Sequence, residues 1–369
     1  MSNNPCDNQW MQLALAIGRV HTGQTGPNPS VGCVIVKNNR IIGRGVTSIG
    51  GRPHAETQAL SMAGDGARGA TAYVTLEPCA HHGQTPPCVD ALVASGIARV
   101  LIATTDPDPR TAGQGIARLR AAGIDVTVGI GRVQAMESHA GFFRRIGCGR
   151  PNVTLKIAAT RNGYMNVTGR RWITSPAARM HSHLLRAHHD AILVGIGTVL
   201  ADDPMLNVRL HGHSRHHPAR FILDRNLRTP PDCQLVKTAR DIPTHIFCSP
   251  DAAKADKGRF AEYGVKLIPI LNTADNTAAW AGILRYLGTD MQINRLMIEG
   301  GFGVAKSLLS SGMADEIHWY RHAVSSAPQI SRHDVMTLGV ETMPYFLDYS
   351  LECLRYFASE EYRIYKKEE

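Results

Sequence analysis

The chain has 369 residues, 40 Lys and Arg against 31 Asp and Glu for a formal charge of +9, and 43% hydrophobic but only 6% aromatic residues. That length exceeds one compact core and predicts two domains, while the lack of any run near the about 18 apolar residues of a membrane helix, and of a signal-peptide pattern in Met1-Ser2-Asn3-Asn4-Pro5, leads us to expect a cytoplasmic protein with no membrane role. Eight cysteines spread over this length do not make a secreted disulfide framework and point to metal, and the positive charge favours anions, either nucleic acid or a small phosphorylated substrate with a phosphate-rich cofactor.

In chain order, residues 8–22 read as an amphipathic helix with Trp10, Met11, Leu13, Ala14, Ile17 and Val20 on one face. A hairpin pair, Val31–Val36 and Arg40–Gly45, follows around Asn38-Asn39. A helix starts at Glu56, directly after His54, and runs to Ala63. Strands are predicted at Ala72–Leu76, Val100–Ala103 and Val126–Val128, with helices at Val89–Ser95 and Gly115–Ala122. The basic, Gly- and Pro-containing segment 144–151 is a plausible boundary, placing the domains at 1–148 and 149–369. Beyond it come strands at Val153–Ala158, Ala191–Val194, Arg220–Leu223, Thr244–Cys248, Val265–Ile270 and Arg295–Ile298. Helices are expected from Pro176 to about Ala187, with Ser175 as N-cap, and at Thr277–Leu287 and Gly303–Ser310. This alternation predicts an α/β domain with a mainly parallel sheet. The His-rich stretch 211–217 reads as a solvated loop, and residues after about 327 carry no readable motif.

His54-Ala55-Glu56, answered by Pro78-Cys79 and Pro87-Cys88, supplies an imidazole, two thiolates and a carboxylate. Zinc takes such ligands, and a catalytic site uses three of them and leaves one position open. The pattern matches the H-x-E half of the zinc deaminase signature, with Glu as proton shuttle, but eight residues separate the cysteines where that signature has two. A closed structural knuckle would need a fourth ligand, for which His81 and His82 are candidates. It would leave Glu56 without a task, so the catalytic reading is preferred. A strand delivering Cys79 beside a helix N-terminus would favour the anionic sulfur.

Residues 27–36, His54-Ala55-Glu56 and the run from Tyr73 to Cys88 resemble the deaminase half of the bifunctional riboflavin-biosynthesis deaminase–reductase family, and the long spacer separates this branch from cytidine and tRNA-adenosine deaminases. The resemblance implies a cytidine-deaminase-like fold. It also implies a diaminopyrimidine ribosyl-phosphate substrate lined by Asn28, Glu56, Asp106 and Asp108. Three positions depart from the family's common pattern: Thr47 for a frequent His, Gln84 for Arg or Lys, and Asp108 for Asn.

The second half resembles the reductase half of the same family, which is similar in fold to dihydrofolate reductase. The matching stretches are 155–158, 172–174, 185–191, 195–204 with Leu206 and Arg209, and Glu299-Gly300-Gly301. The resemblance implies NADPH held by Ala158, Trp172, Thr198, Asp202 and the 300–306 loop (Gly301, Phe302, Gly303), and substrate held by Arg186, Leu206, Arg209 and Glu299. The glycines before a helix fit close backbone approach and phosphate at the helix N-terminus, whereas a Rossmann fingerprint lacks its third glycine. Both arginines suit a ribose phosphate.

Departures here are Asn162, Arg170 and Arg225, the last standing where the family has Ser after a strand-end Asp. The reading is therefore a zinc- and NADPH-dependent bifunctional enzyme acting on a small phosphorylated pyrimidine, as a homo-oligomer and without nucleic acid. A second reading keeps the deaminase and makes the C-terminal half catalytically lost or redirected. A nucleic-acid base editor would need a phosphate-tracking groove and stacking aromatics, which the composition disfavours.

Overall fold

The computed structural model describes residues 6–160, 165, 173–210, 212, 216–256, 258–270, 275–322, 348–357 and 360–368. The chain divides into two compact units, Met1–Arg150 and Pro151–Glu369.

In the first unit, in chain order, lie α1 (Cys6–Gly18), β1 (Gly32–Lys37), β2 (Arg40–Val46), α2 (Ala55–Ala63), β3 (Thr71–Val74), α3 (Cys88–Ala94), β4 (Arg99–Ile102), α4 (Gln114–Ala121), β5 (Asp125–Val128), α5 (Arg132–Ser138) and α6 (Ala140–Cys148). The sheet order is β2-β1-β3-β4-β5. β1 runs antiparallel to β2 and β3, and β3, β4 and β5 are parallel. Asn38 and Asn39 take positive φ at the hairpin, a conformation their short polar side chains tolerate. The sheet is buried between two apolar layers. One holds Ile35, Val74, Leu92 and Ile102, the other Met11, Leu15, Val34 and Leu101. Each such side chain contributes about 1.5–3 kcal/mol on burial. Glycines set the helix spacing: a Cβ on Gly45 would lie 2.1 Å from the Ala55 carbonyl oxygen, and one on Gly43 2.2 Å from that of Ala59. Only glycine lets α2 lie this close to β2, and α2 begins beside His54.

Two expectations are corrected. The first helix stops at Gly18, which leaves Val20 59% exposed; Met11 and Ala14 are buried as expected, Trp10, Leu13 and Ile17 pack against the same layer, and Leu15 joins it. The expected boundary segment 144–151 contains the division between the units, after Arg150, but its first part is helical to Cys148, because Phe142 and its neighbours Phe143 and Ile146 pack on the core and hold α6 together.

The second unit contains β6 (Asn152–Thr160), α7 (Pro176–Ala187), β7 (Ala191–Gly195), α8 (Ile196–Asp202), β8 (Ala219–Leu223), α9 (Gln234–Lys237), β9 (Thr244–Cys248), α10 (Pro250–Ala255), β10 (Lys266–Pro269), α11 (Asn276–Thr289), β11 (Arg295–Ile298), α12 (Phe302–Ser310), β12 (Glu316–His322), β13 (Tyr349–Phe357) and β14 (Glu360–Lys367). Ser175 caps α7 as its sequence predicts, its hydroxyl accepting from Ala178 N at 3.2 Å. The sheet order is β10-β9-β8-β7-β11-β6-β12-β14-β13. The strands from β10 through β12 are parallel, and β14 and β13 add an antiparallel edge. That edge was not foreseen, since its strands alternate polar and aromatic residues without an apolar run. Their pairing partner, β12, buries Ile317, Trp319 and Tyr320. Parallel strands place their carboxyl ends along one edge, where an open α/β sheet receives ligands.

Candidate functional sites

His54 occupies the N-cap position of α2 and makes no capping bond with its side chain, which leaves the ring for other work. Cys88 opens α3, and its backbone N–H donates to Cys79 Sγ at 3.3 Å. A helix-terminal donor therefore reaches the sulfur, as the strand–helix arrangement predicts. His54 Nδ1 stands 3.3 Å from Cys88 Sγ and 3.8 Å from Cys79 Sγ. The three ligand atoms lie within 4.8 Å of one another. One nitrogen and two sulfurs at that spacing suit an ion with Zn–S near 2.3 Å and Zn–N near 2.0 Å. Among the described residues the cluster has these three members and no fourth, so the donor set is that of an open site. His81, a candidate fourth ligand, instead faces Thr111 Oγ1 at 3.2 Å.

The Cys79 thiol is pulled down to about 4, chiefly by the Cys88 thiol beside it and also by His54, against burial. Glu56 is 4% exposed, and burial pushes its carboxyl up to about 7, with His54 drawing it down and Cys79 raising it. A carboxyl poised near neutrality can take and return a proton.

The loop beyond β4 is built around Glu77, whose role the sequence reading missed. Its carboxylate accepts from Asp106 N at 3.2 Å, Gly113 N at 3.0 Å and Ile116 N at 3.1 Å, at the start of α4. A buried carboxylate meeting backbone donors at a helix N-terminus is the signal that could have identified it. Asp106 Oδ1 accepts from Asp108 N at 2.9 Å, and burial pushes the Asp106 carboxyl up to about 7. Asn28 donates to Gly51 O at 3.0 Å, and Gly51 is three residues before His54.

The three departures in this half each have a partner. Thr47 Oγ1 accepts from Val31 N at 2.9 Å. Gln84 Oε1 accepts from Arg52 Nε at 3.2 Å, so a guanidinium stands beside the uncharged residue. Asp108 is forked by Arg110, which donates to both oxygens from Nε at 3.0 and 3.1 Å.

In the second unit, β11 delivers Glu299 at its carboxyl end. Arg186, near the C-terminus of α7, meets it through Nε at 2.6 Å and an Nη at 3.0 Å. The other Nη of Arg186 donates to Asn207 O at 3.2 Å. All three nitrogens are engaged, so the fork expected to receive phosphate faces a carboxylate. Burial alone would raise Glu299, but Arg186 and then Lys156 hold it down to about 2. Lys156, whose part was not anticipated, lies 3.9 Å from Glu299 and over the Tyr320 ring. Its clue was a lone lysine inside an apolar strand.

Leu206 is 3% exposed with φ near +50°, so what it offers a ligand is backbone. Exposed Arg209 donates to Asn207 Oδ1 at 2.9 Å. This loop is anchored by the fully buried Arg220, which donates to Met205 O at 3.0 Å and also holds Leu235 O, Ile242 O and Thr244 Oγ1.

Gly301 is the N-cap of α12, and a Cβ there would lie 3.6 Å from Thr198 Oγ1 of α8. Val304 fills the space over Gly195 and Gly300, where a Cβ would come within 2.6 and 2.5 Å of its side chain. Thr198, Gly301, Phe302 and Gly303 therefore share one edge with Glu299, at the ends of β7 and β11. Asp202 ends α8, exposed, and Ala158 sits on β6 opposite Tyr320. Trp172, Asn162 and Arg170 lie outside the described residues.

Fold and sites together define a zinc-dependent deaminase unit joined to a reductase unit. The profile described as the cytidine and deoxycytidylate deaminase zinc-binding region matches residues 4–104, and that of the RibD C-terminal domain matches 151–324. The riboflavin biosynthesis protein RibD of Aquifex aeolicus is 42% identical over 313 residues, covering 84% of this chain and 85% of that one. Among solved structures, Acinetobacter baumannii RibD (form 1) superposes with TM-score 0.86 at 33% identity, over 98% of this chain and 99% of that one. A Thermotoga maritima diaminohydroxyphosphoribosylaminopyrimidine deaminase/5-amino-6-(5-phosphoribosylamino)uracil reductase superposes with TM-score 0.83 at 30% identity over 98% of each chain. The chain belongs to the RibD family, the bifunctional deaminase–reductases of riboflavin biosynthesis, with zinc and NADPH as cofactors.

Proposed function

We propose that the first unit hydrolyses the exocyclic amine of a diaminopyrimidine bearing a ribosyl phosphate, and that the second reduces the ribosyl group of the product to ribityl. The convergence of His54, Cys79 and Cys88, with a buried Glu56 two residues from the first, carries this reading. A zinc ion held by those three residues would supply a Lewis acid and a water acidic enough to act as hydroxide near neutral pH. Glu56 takes the proton from water and returns it to the departing nitrogen, so that water and the amine become a carbonyl and ammonia. Asn28, Asp106 and Asp108 line the pyrimidine pocket, with Glu77 holding the backbone of Asp106, whose carboxylate in turn accepts from Asp108 N.

In the second unit, Ala158, Trp172, Thr198, Asp202 and Gly301–Gly303 would hold NADPH, which would supply hydride to the sugar carbon that bears the amine as its bond to the ring oxygen breaks and that oxygen takes a proton. Arg186 keeps Glu299 ionised and oriented toward the substrate. Arg209, exposed and on the same loop as Leu206, receives the ribose phosphate. The +9 charge serves such anions in place of a nucleic-acid strand.

We place the protein in the cytoplasm; no helix among the described residues is long and apolar enough to cross a membrane. We expect a homo-oligomer: edge strand β13 leaves Leu351, Leu354 and Tyr356 exposed, and light scattering at increasing concentration tests this. For the activity, the purified chain is incubated with the diaminopyrimidine ribosyl phosphate, with and without NADPH, and ammonia and NADPH absorbance are followed. Ammonia in both conditions, with NADPH consumed, is the expected result. Ammonia without NADPH consumption would leave the deaminase alone.

A further inference from the structure

Resting on the reading that NADPH binds this sheet edge, we propose that Arg225 reads the 2′-phosphate of the cofactor and sets its preference for NADPH over NADH. The strand order carries the argument. Phosphate-binding backbone is offered at the end of β11, where Gly301 caps α12 beside the end of β7. Next to β7, on the side away from β11, lies β8, and its carboxyl end runs into Asp224-Arg225. Adjacent strands are about 4.8 Å apart, so the end of β8 is about 10 Å from that of β11. A dinucleotide with its pyrophosphate against α12 and its nicotinamide toward Glu299 and Lys156 has its adenosine half to place along this row.

In nucleotide-binding α/β folds, a carboxylate at such a position takes the ribose 2′-hydroxyl, whereas an arginine accommodates a 2′-phosphate. Here the two stand side by side, and their surroundings separate their tasks. Asp224 is 1% exposed, and its Oδ2 is spent on Thr229 N at 2.7 Å and Thr229 Oγ1 at 2.8 Å, closing the turn. Arg225 is exposed; its carbonyl accepts from Ser249 N at 2.9 Å, which fixes its backbone to the start of α10. Its guanidinium forms no hydrogen bond or ion pair with another described residue. A positioned backbone carrying an unengaged guanidinium meets a phosphate dianion through two parallel N–H···O bonds. Arg228, also exposed, adds positive charge to the same turn.

The test is steady-state kinetics of the full chain with NADPH and NADH, comparing wild type with Arg225→Ser and Arg225→Lys. Inhibition by 2′,5′-ADP and by 5′-AMP is measured in parallel. Because Arg225 is exposed, its replacement leaves the core intact. We expect Arg225→Ser to raise KM for NADPH and the inhibition constant of 2′,5′-ADP by ~10-fold or more, as losing a bidentate charged contact implies. NADH, 5′-AMP and kcat should change less than about twofold, with Arg225→Lys intermediate. An unchanged KM for NADPH, or equal rises for NADPH and NADH, would overturn the proposal while leaving the cofactor reading intact. A wild-type chain that neither binds nor oxidises NADPH would overturn both.

Discussion

Arg186 Nε and Glu299 Oε1 stand 2.6 Å apart, joining the last turn of α7 to the carboxyl end of β11 across 113 residues of chain. Both side chains are nearly closed to solvent, and with Lys156 they form a buried set of two cations and one anion. Breaking such a pair leaves an uncompensated charge and costs about 3–5 kcal/mol. Glu299→Gln should therefore lower the denaturation temperature of the second unit and abolish NADPH oxidation. Ammonia release should continue, since each unit has its own core. Retained NADPH oxidation would remove Glu299 from the reductase site.

Glu56→Gln should keep stoichiometric zinc and lose deamination by about a hundredfold or more, the usual worth of a positioned proton-transfer group. The substitution is nearly isosteric and spares all three ligands. Zinc analysis and ammonia release on the same preparation check this. Loss of metal, or turnover near wild type, would contradict the assigned role.

Cys79→Ala removes one of the two sulfurs and the acceptor of the Cys88 N–H. Zinc and deamination should both disappear, and prolonged chelation of the wild type should reproduce the effect, with zinc restoring it. NADPH affinity, measured by fluorescence titration, should stay within about twofold of wild type. A collapse of both activities would show that the two halves depend on each other.

Acid should weaken the second unit through buried neutral histidines. Burial lowers His189 to about 3 and His245 to about 4, with nearby Arg295 and Lys266 adding to the effect. His189 is held between Leu185 O and Thr154 Oγ1, and His245 is stacked on Phe221. A base with a lowered folded pKa binds protons more readily when unfolded. Its contribution is therefore complete above about pH 6.5 and is lost as the pH falls toward 4. Each histidine is worth about 1–3 kcal/mol over that window. Urea unfolding at pH 7.5 and 5.0 should show a lower midpoint in acid, smaller in His189→Gln. Coincident midpoints would rule this out.

The convergence of His54, Cys79 and Cys88, with Glu56 buried two residues from the first, was legible because metal chemistry admits few residue types, and short local spacings bring them to consecutive strand and helix ends. Ser175 capping α7 and the apolar strands Thr244–Cys248 and Arg295–Ile298 were legible for the same local reason. What escaped the reading depended on contacts distant in sequence. Where α1 ends, and that Leu15 joins its buried layer while Val20 leaves it, was set by what the helix meets on β1, β3 and β4. β13 and β14 joined the sheet because β12 left its free edge open to them.

Thus the linear order of residues, through capping, periodicity and ligand chemistry, determined the local elements, the metal donor set and the glycine-lined helix start. Tertiary structure alone decided that Arg186 would face Glu299, that Glu77 would gather the backbone of the Asp106 loop, and that Arg225 would stand in the row of strand ends beside Gly195. Charge pairing and strand order act across chain separations on which local sequence pattern carries no information.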